Sequence, residues 1–126
     1  MSLLLDTHVL LWCGYRPEAL AAPVRTRIAD PSVRVYASAA SAWEIAIKRR
    51  LGKLTLDATT EELLRALSIA PLPITIAHAE AAGALALEHR DPFDRMLVAQ
   101  ARSEGLSLVT ADTAILKAFP DCLAAR

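Results

Sequence analysis

Four acidic residues, Asp6, Glu44, Asp94 and Asp112, each stand where a strand-like segment gives way to a helical one, or in the first helical turn. Asp6 closes the apolar run "LLLD", Glu44 follows "VRVYAS", Asp94 follows "HRDP" and Asp112 follows "LSLV". In an open parallel α/β sheet such junctions share one edge, and that edge is where ligands bind. Asp6 and Glu44 interrupt the apolar stretches "LLLDTHVLL" and "ASAWEIAI", where a carboxylate is costly unless something neutralises it. Acids gathered in one cleft raise each other's pKa. A hard divalent cation relieves that repulsion, and carboxylate and water ligands without thiolate or clustered imidazole favour Mg2+, with Mn2+ as a substitute. Such an ion activates water and stabilises charge on a phosphoryl oxygen, so the chemistry implied is phosphodiester hydrolysis.

Each acid also has a structural use. Asp6 and Asp112 suit helix N-caps, and Ser41-Ala-Trp-Glu44 matches a capping box. Asp91 reads as an N-cap, Pro92 as N1 and Asp94 as an acid at N3, near the positive end of the helix dipole. The division expected in "DPFDR" is that the first aspartate builds the helix and the second serves the metal.

The elements that must position these residues follow from periodicity and breakers. "LLLD" (3–6) and "VRVYAS" (33–38) read as strands, as does "LSLV" (106–109). "THVLLWCG" starts as a helical turn, and "PEALAAPVRTRIAD" (17–30) is helical with a break expected at Pro23. "SAWEIAIKRRLG" (41–52) is a helix stopped by Gly52, and "TTEELLRALSIA" is another with Leu63, Leu64 and Leu67 on one face. "PLPITI" (71–76) is a loop or short edge strand, because its prolines cannot donate to a ladder. "AHAEAAGALALEH" (77–89) is helical, the "DPFDR" helix runs to Glu104 and stops at Gly105, and "TADTAILKAF" opens a last helix. The alternation predicts an α/β sandwich around a mainly parallel sheet, with residues 1–126 as a single domain.

Composition narrows the function classes. The chain has 126 residues, 54% hydrophobic and 22% charged, which is globular rather than disordered. Lys+Arg and Asp+Glu are both 14, so no global field attracts an anionic substrate and any such ligand must be held locally. The basic run "KRRLGK" (48–53) reads as a solvated helix end. Cys13 and Cys122 are far apart with no metal-binding spacing, which suits reduced thiols. The apolar start lacks a basic leader and is interrupted by Asp6, and no apolar run is long enough to span a bilayer. A cytoplasmic protein is expected.

Taken in order, "LLLDTH", "SAASAWEIAIKRRLGKL", "HRDPFDRMLVAQA" and "LVTAD" resemble a PIN-domain ribonuclease, specifically the VapC-type toxin of bacterial toxin–antitoxin pairs, over residues 3 to about 117. The resemblance implies a PIN-like three-layer sandwich with about five parallel strands, and a Mg2+-dependent endoribonuclease acting on structured RNA such as tRNA. It places Asp6 and Asp94 as direct metal ligands, with Glu44 and Asp112 completing the cluster directly or through water. Thr7, Ser38 and Thr110 fall where family members place small hydroxyls near the cleft. It further implies a VapB-type antitoxin, a homodimer and a toxin–antitoxin hetero-oligomer.

Arg95 suits either a carboxylate pair or a substrate phosphate. Lys48, at i+4 from Glu44, suits an ion pair first, and the family resemblance adds phosphate contact; Arg49 and His89 are further candidate RNA contacts, with a surface or supporting role put first for His89. Trp12 and Trp43 read as core residues. A receiver-type phospho-acceptor domain would want adjacent acids at the first strand and a lysine after "LSLV", and neither is present. An aspartyl phosphatase would want Asp-x-Asp where the chain has "DTH". A PIN fold that only binds a partner is the remaining alternative.

Overall fold

The computed structural model describes residues 1–88 and 91–126. Its centre is β1 (Ser2–Leu5), where Leu3, Leu4 and Leu5 are fully buried. A strand covered on both faces needs a continuous apolar run rather than alternation, and "LLL" supplies it. Burying each leucine is worth about 1.5–3 kcal/mol. Around β1 lie β2 (Arg34–Ser38), β3 (Ala70–Leu72), β4 (Ser107–Thr110) and β5 (Leu123–Ala124), all parallel, in the order β3-β2-β1-β4-β5. Leu4 pairs with Tyr36 on one side and with Leu108 on the other.

Two apolar layers clothe this sheet. Leu3 and Leu5 face a cluster that takes in Val9 and Leu10 of α1 (Thr7–Tyr15), Val24 of α2 (Ala22–Ala29), Ile45 of α3 (Ala39–Arg50) and Leu63 of α4 (Thr60–Leu67). Leu4 faces the other way, onto Leu97 and Val98 of α6 (Pro92–Glu104) and Ile115 of α7 (Thr113–Ala118). The expected three-layer α/β sandwich is the architecture found. Between β3 and α6 comes α5 (Ile76–Ala84), which packs on α6 and is capped by Thr75 and His78. The His78 Nε2 atom lies 3.0 Å from Glu104 Oε2, which ties the start of α5 to the end of α6. No helix among the described residues is long and apolar enough to cross a membrane.

Several local expectations need correction. The α3 helix begins at Ala39, with Ser38 as N-cap accepting from the Ala40 N–H at 2.9 Å. Ser41 is therefore inside the helix, no Ser41–Glu44 capping box forms, and Glu44 lies beyond the first turn. Two serines three positions apart compete for the cap, and Thr7 settles it by donating to Ser41 Oγ at 3.0 Å. Pro23 does not interrupt a helix; it sits in the first turn of α2, where its missing N–H has no partner to lose. Residues 17–19 form a separate 3-10 turn. Trp43 is 62% exposed rather than core, its ring edge-on to Phe93 at 5.2 Å. Gly52 and Gly105 follow their helices with φ of +71° and +67°, the left-handed stop that glycine adopts without a Cβ clash.

Candidate active site

The chain leaves β1 toward β2 and β3 on one side, and β4 returns to the other side of β1. The crevice beyond the carboxyl ends of β1 and β4 is thus the topological switch point, the usual ligand position in an open parallel sheet. Asp6 stands at its base. It is 6% exposed and caps α1, with Oδ1 accepting from the Val9 N–H at 2.8 Å. Oδ2 accepts from the Thr110 hydroxyl at 2.6 Å, across from the end of β4. Burial pushes the Asp6 carboxyl above its ordinary value, and the Thr110 and Val9 hydrogen bonds offset that only in part.

Thr110 also reaches the next acid. Its Oγ1 accepts from the Asp112 N–H at 3.0 Å, while Asp112 Oδ1 caps α7 by accepting from the Ile115 N–H at 3.0 Å. From the opposite wall comes the start of α6. Asp91 Oδ1 accepts from the N–H groups of Phe93 at 2.9 Å and Asp94 at 3.4 Å, so the expected cap is present, and Asp94 occupies the first turn. Asp6, Asp91, Asp94 and Asp112 line one cleft of about 470 Å³, together with Trp12 and Arg126. Among the described residues, no three carboxylate, imidazole or thiolate groups are set to hold one ion between them.

Glu44 is not in that cleft. It borders an adjoining one of about 530 Å³, where Lys48 Nζ meets Glu44 Oε2 at 3.0 Å. Asp91 borders both clefts. Of the hydroxyls expected near the site, Thr110 touches Asp6 directly, whereas Thr7 joins α1 to α3 and Ser38 caps α3. Arg49 donates to the carbonyls of Ala58 at 2.7 Å and Leu56 at 2.9 Å, fastening the loop after α3. Arg95 turns its guanidinium onto main-chain carbonyls at the end of α5, including Ala82 at 2.9 Å and Leu85 at 3.0 Å. His89 lies outside the described residues. Burial raises both thiols, Cys13 and Cys122, to about 11, so each is protonated at neutral pH and neither is a nucleophile.

Sequence reasoning missed Arg126, whose guanidinium stacks on the Trp12 ring 4.3 Å from its centroid. No spacing signal marks it, because the two-residue β5 that places it is too short to show a period.

Comparison with known proteins agrees with this geometry. A family model described as the PIN domain matches residues 3–119. No protein of curated function matches the sequence. Among solved structures, a toxin–antitoxin complex from Klebsiella pneumoniae is similar with a TM-score of 0.68 at 22% identity, covering 98% of this chain and 97% of the other. VapBC2 from Rickettsia felis, bound to a promoter DNA fragment, gives 0.69 at 16% identity over 98% and 96%. VapBC-1 from nontypeable Haemophilus influenzae gives 0.63 at 21% identity over 98% and 96%. With the family model spanning nearly all of the sheet and both walls of the cleft, this chain belongs to the PIN domain family.

Proposed function

We propose that this protein is a metal-dependent endoribonuclease of the VapC toxin type, cutting phosphodiester bonds in structured RNA such as tRNA and neutralised by a cognate antitoxin. The observation that carries the reading is the buried Asp6 at the β1–β4 switch point, with Asp91, Asp94 and Asp112 on the same cleft. The donor set is four carboxylates with the His8 imidazole beside them, and its preponderance of oxygen fits Mg2+ bound through one or two carboxylates and otherwise by water. Asp6 and Asp94 would hold it, with Asp112 acting directly or through water.

When bound there, the ion supplies a water of lowered pKa and positive charge against the developing phosphoryl oxyanion. The chain's own residues set the geometry. Thr110 and the Val9 N–H fix both oxygens of Asp6, so its rotamer is set before substrate arrives. Thr110 likewise fixes the Asp112 main chain. Asp91 aligns the first turn of α6, from which Asp94 enters the cleft. Glu44, paired with Lys48, borders the adjoining cleft that shares Asp91 with this one, and would complete the cluster directly or through water.

The antitoxin and homodimer belong to the same proposal. They are supported by an exposed apolar stripe along α3 and its C-cap, where Trp43, Ile47 and Leu51 recur every four residues at 62%, 36% and 62% exposure. The solved relatives named above are themselves toxin–antitoxin complexes.

The test is cleavage of total tRNA by purified protein freed of any partner, with Mg2+, with EDTA, and with Asp94→Asn alongside. Discrete fragments are expected only for wild type with metal. Folded protein that leaves RNA intact in every lane would favour a PIN fold that only binds a partner, and the nuclease reading would fall.

A further inference from the structure

An acidic cleft on a chain of zero net charge repels RNA, so something local must draw the phosphate backbone toward the carboxylates. Among the described residues, Arg126 is the one lysine or arginine lining that cleft. Its position is built rather than incidental. The preceding Ala125 is fully buried, its N–H donates to the Thr110 carbonyl at 2.9 Å, and its own carbonyl accepts from the Ala21 N–H at 2.9 Å. These two bonds fasten the main chain next to the residue whose hydroxyl holds Asp6. Beyond this anchor the guanidinium carbon lies over the Trp12 ring, 4.3 Å from its centroid, within the range of a cation–π contact.

The contact with the ring engages the guanidinium's charge and does not use up its capacity to donate hydrogen bonds. Among the described residues, no hydrogen bond or ion pair takes up the guanidinium N–H groups, and Arg126 is exposed. A planar fork of donors, immobilised on an aromatic ring at the rim of a carboxylate cleft, matches the bidentate geometry of a phosphate. Resting on the nuclease reading above, we infer that Arg126 is a substrate-binding residue that grips a backbone phosphate of single-stranded RNA beside the bond to be cut, with Trp12 as its platform. Prior fixation on Trp12 lowers the side-chain entropy lost on binding.

The test compares wild type, Arg126→Ala, Arg126→Lys and Trp12→Leu. Binding of a fluorescein-labelled 12-nucleotide single-stranded RNA is followed by anisotropy in EDTA over a range of salt, and tRNA cleavage is followed with Mg2+. Arg126→Ala is expected to weaken binding about five- to tenfold, the size of one exposed charge-assisted contact. The slope of log Kd against log salt should fall by about 0.7, one phosphate on a single strand. Arg126→Lys should keep that slope while recovering part of the affinity, and Trp12→Leu should weaken binding without changing it. In cleavage, the loss should appear mainly in KM. A purely structural role would instead lower Tm and leave Kd and slope at wild-type values, which overturns the inference. Faster cleavage by Arg126→Ala would overturn it too, since the guanidinium would then be competing with the cation. A wild type that neither binds nor cuts RNA defeats the nuclease reading and this inference together. A wild type that cuts RNA, matched by Arg126→Ala at limiting RNA, defeats this inference alone.

Discussion

Changing Arg95 to alanine removes a clamp whose strength follows from its partners. The last four carbonyls of any α-helix lack intrahelical donors, and α5 ends at Ala84. The Arg95 guanidinium donates to the carbonyls of Leu87 at 2.5 Å, Ala82 at 2.9 Å, Leu85 at 3.0 Å and, weakly, Gly83 at 3.4 Å. A hydrogen bond from a charged donor nets about 1.5–3 kcal/mol when buried, and these carbonyls are partly wet, so the lower end applies to the best two. A cation at a helix C-terminus adds about 0.3–1 kcal/mol. Arg95→Ala should therefore cost about 3 kcal/mol. With a urea m-value of about 2 kcal/mol/M for a domain of this size, the unfolding midpoint should fall by about 1.5 M. Arg95→Lys, with one compact ammonium in place of a fork, should recover about half. Hydrogen exchange at the end of α5 should quicken in step. A midpoint shift below about 0.3 M, accompanied by weaker RNA binding, would refute the clamp and return Arg95 to the substrate side of the site.

Asp6→Asn should abolish cleavage and also the stabilisation by Mg2+, which at one hundred times Kd amounts to about 2.7 kcal/mol, or roughly 10 °C in Tm; an equal Tm gain in both proteins would remove Asp6 from the metal site. In EDTA the sign of its pH dependence is fixed: a carboxyl raised on folding binds its proton more tightly in the folded state, so stability falls as pH rises from the ordinary carboxylate range through the raised value. Urea midpoints measured upward from pH 4 should show that fall in wild type relative to Asp6→Asn, and parallel curves would contradict it. Thr110→Val keeps shape but strips the donor from Asp6 Oδ2, at a cost of about 1–3 kcal/mol by denaturation, and the Asp6 carboxyl should rise further. Asp91→Ala should cost about 0.5–2 kcal/mol as a lost cap, against little for Asp94→Asn, whereas Asp94→Asn should be the more damaging to cleavage.

What could be read in advance was set by short-range chemistry. "LLLD" and "LSLV" announce buried parallel strands because both faces must be apolar, and the acids that end or follow them are then placed by topology. Asp91, Pro92 and Gly105 bracket α6 for equally local reasons. Where distant partners decide, the signal fades. Ser38 and Ser41 are equivalent caps until Thr7, 34 positions from Ser41, takes the second hydroxyl. Trp43 reads as core, yet α3 turns only Ile45 and the small Ala40 and Ser41 fully inward. The placing of β5, and with it Arg126, depends on the free edge of β4, which no window of sequence contains.

The hydrogen-bond shell of Asp6 has a consequence of its own. Both carboxylate oxygens receive hydrogens, from the Val9 amide and the Thr110 hydroxyl, and these bonds favour the anion. The desolvated surroundings favour the neutral acid while the donors favour the anion, and burial is the stronger of the two. Such local frustration is unusual in a natural fold, where contacts otherwise agree with one another. Positive charge brought into the crevice sides with the donors and tips that balance to the anion, so recognition there is coupled to the release of the Asp6 proton.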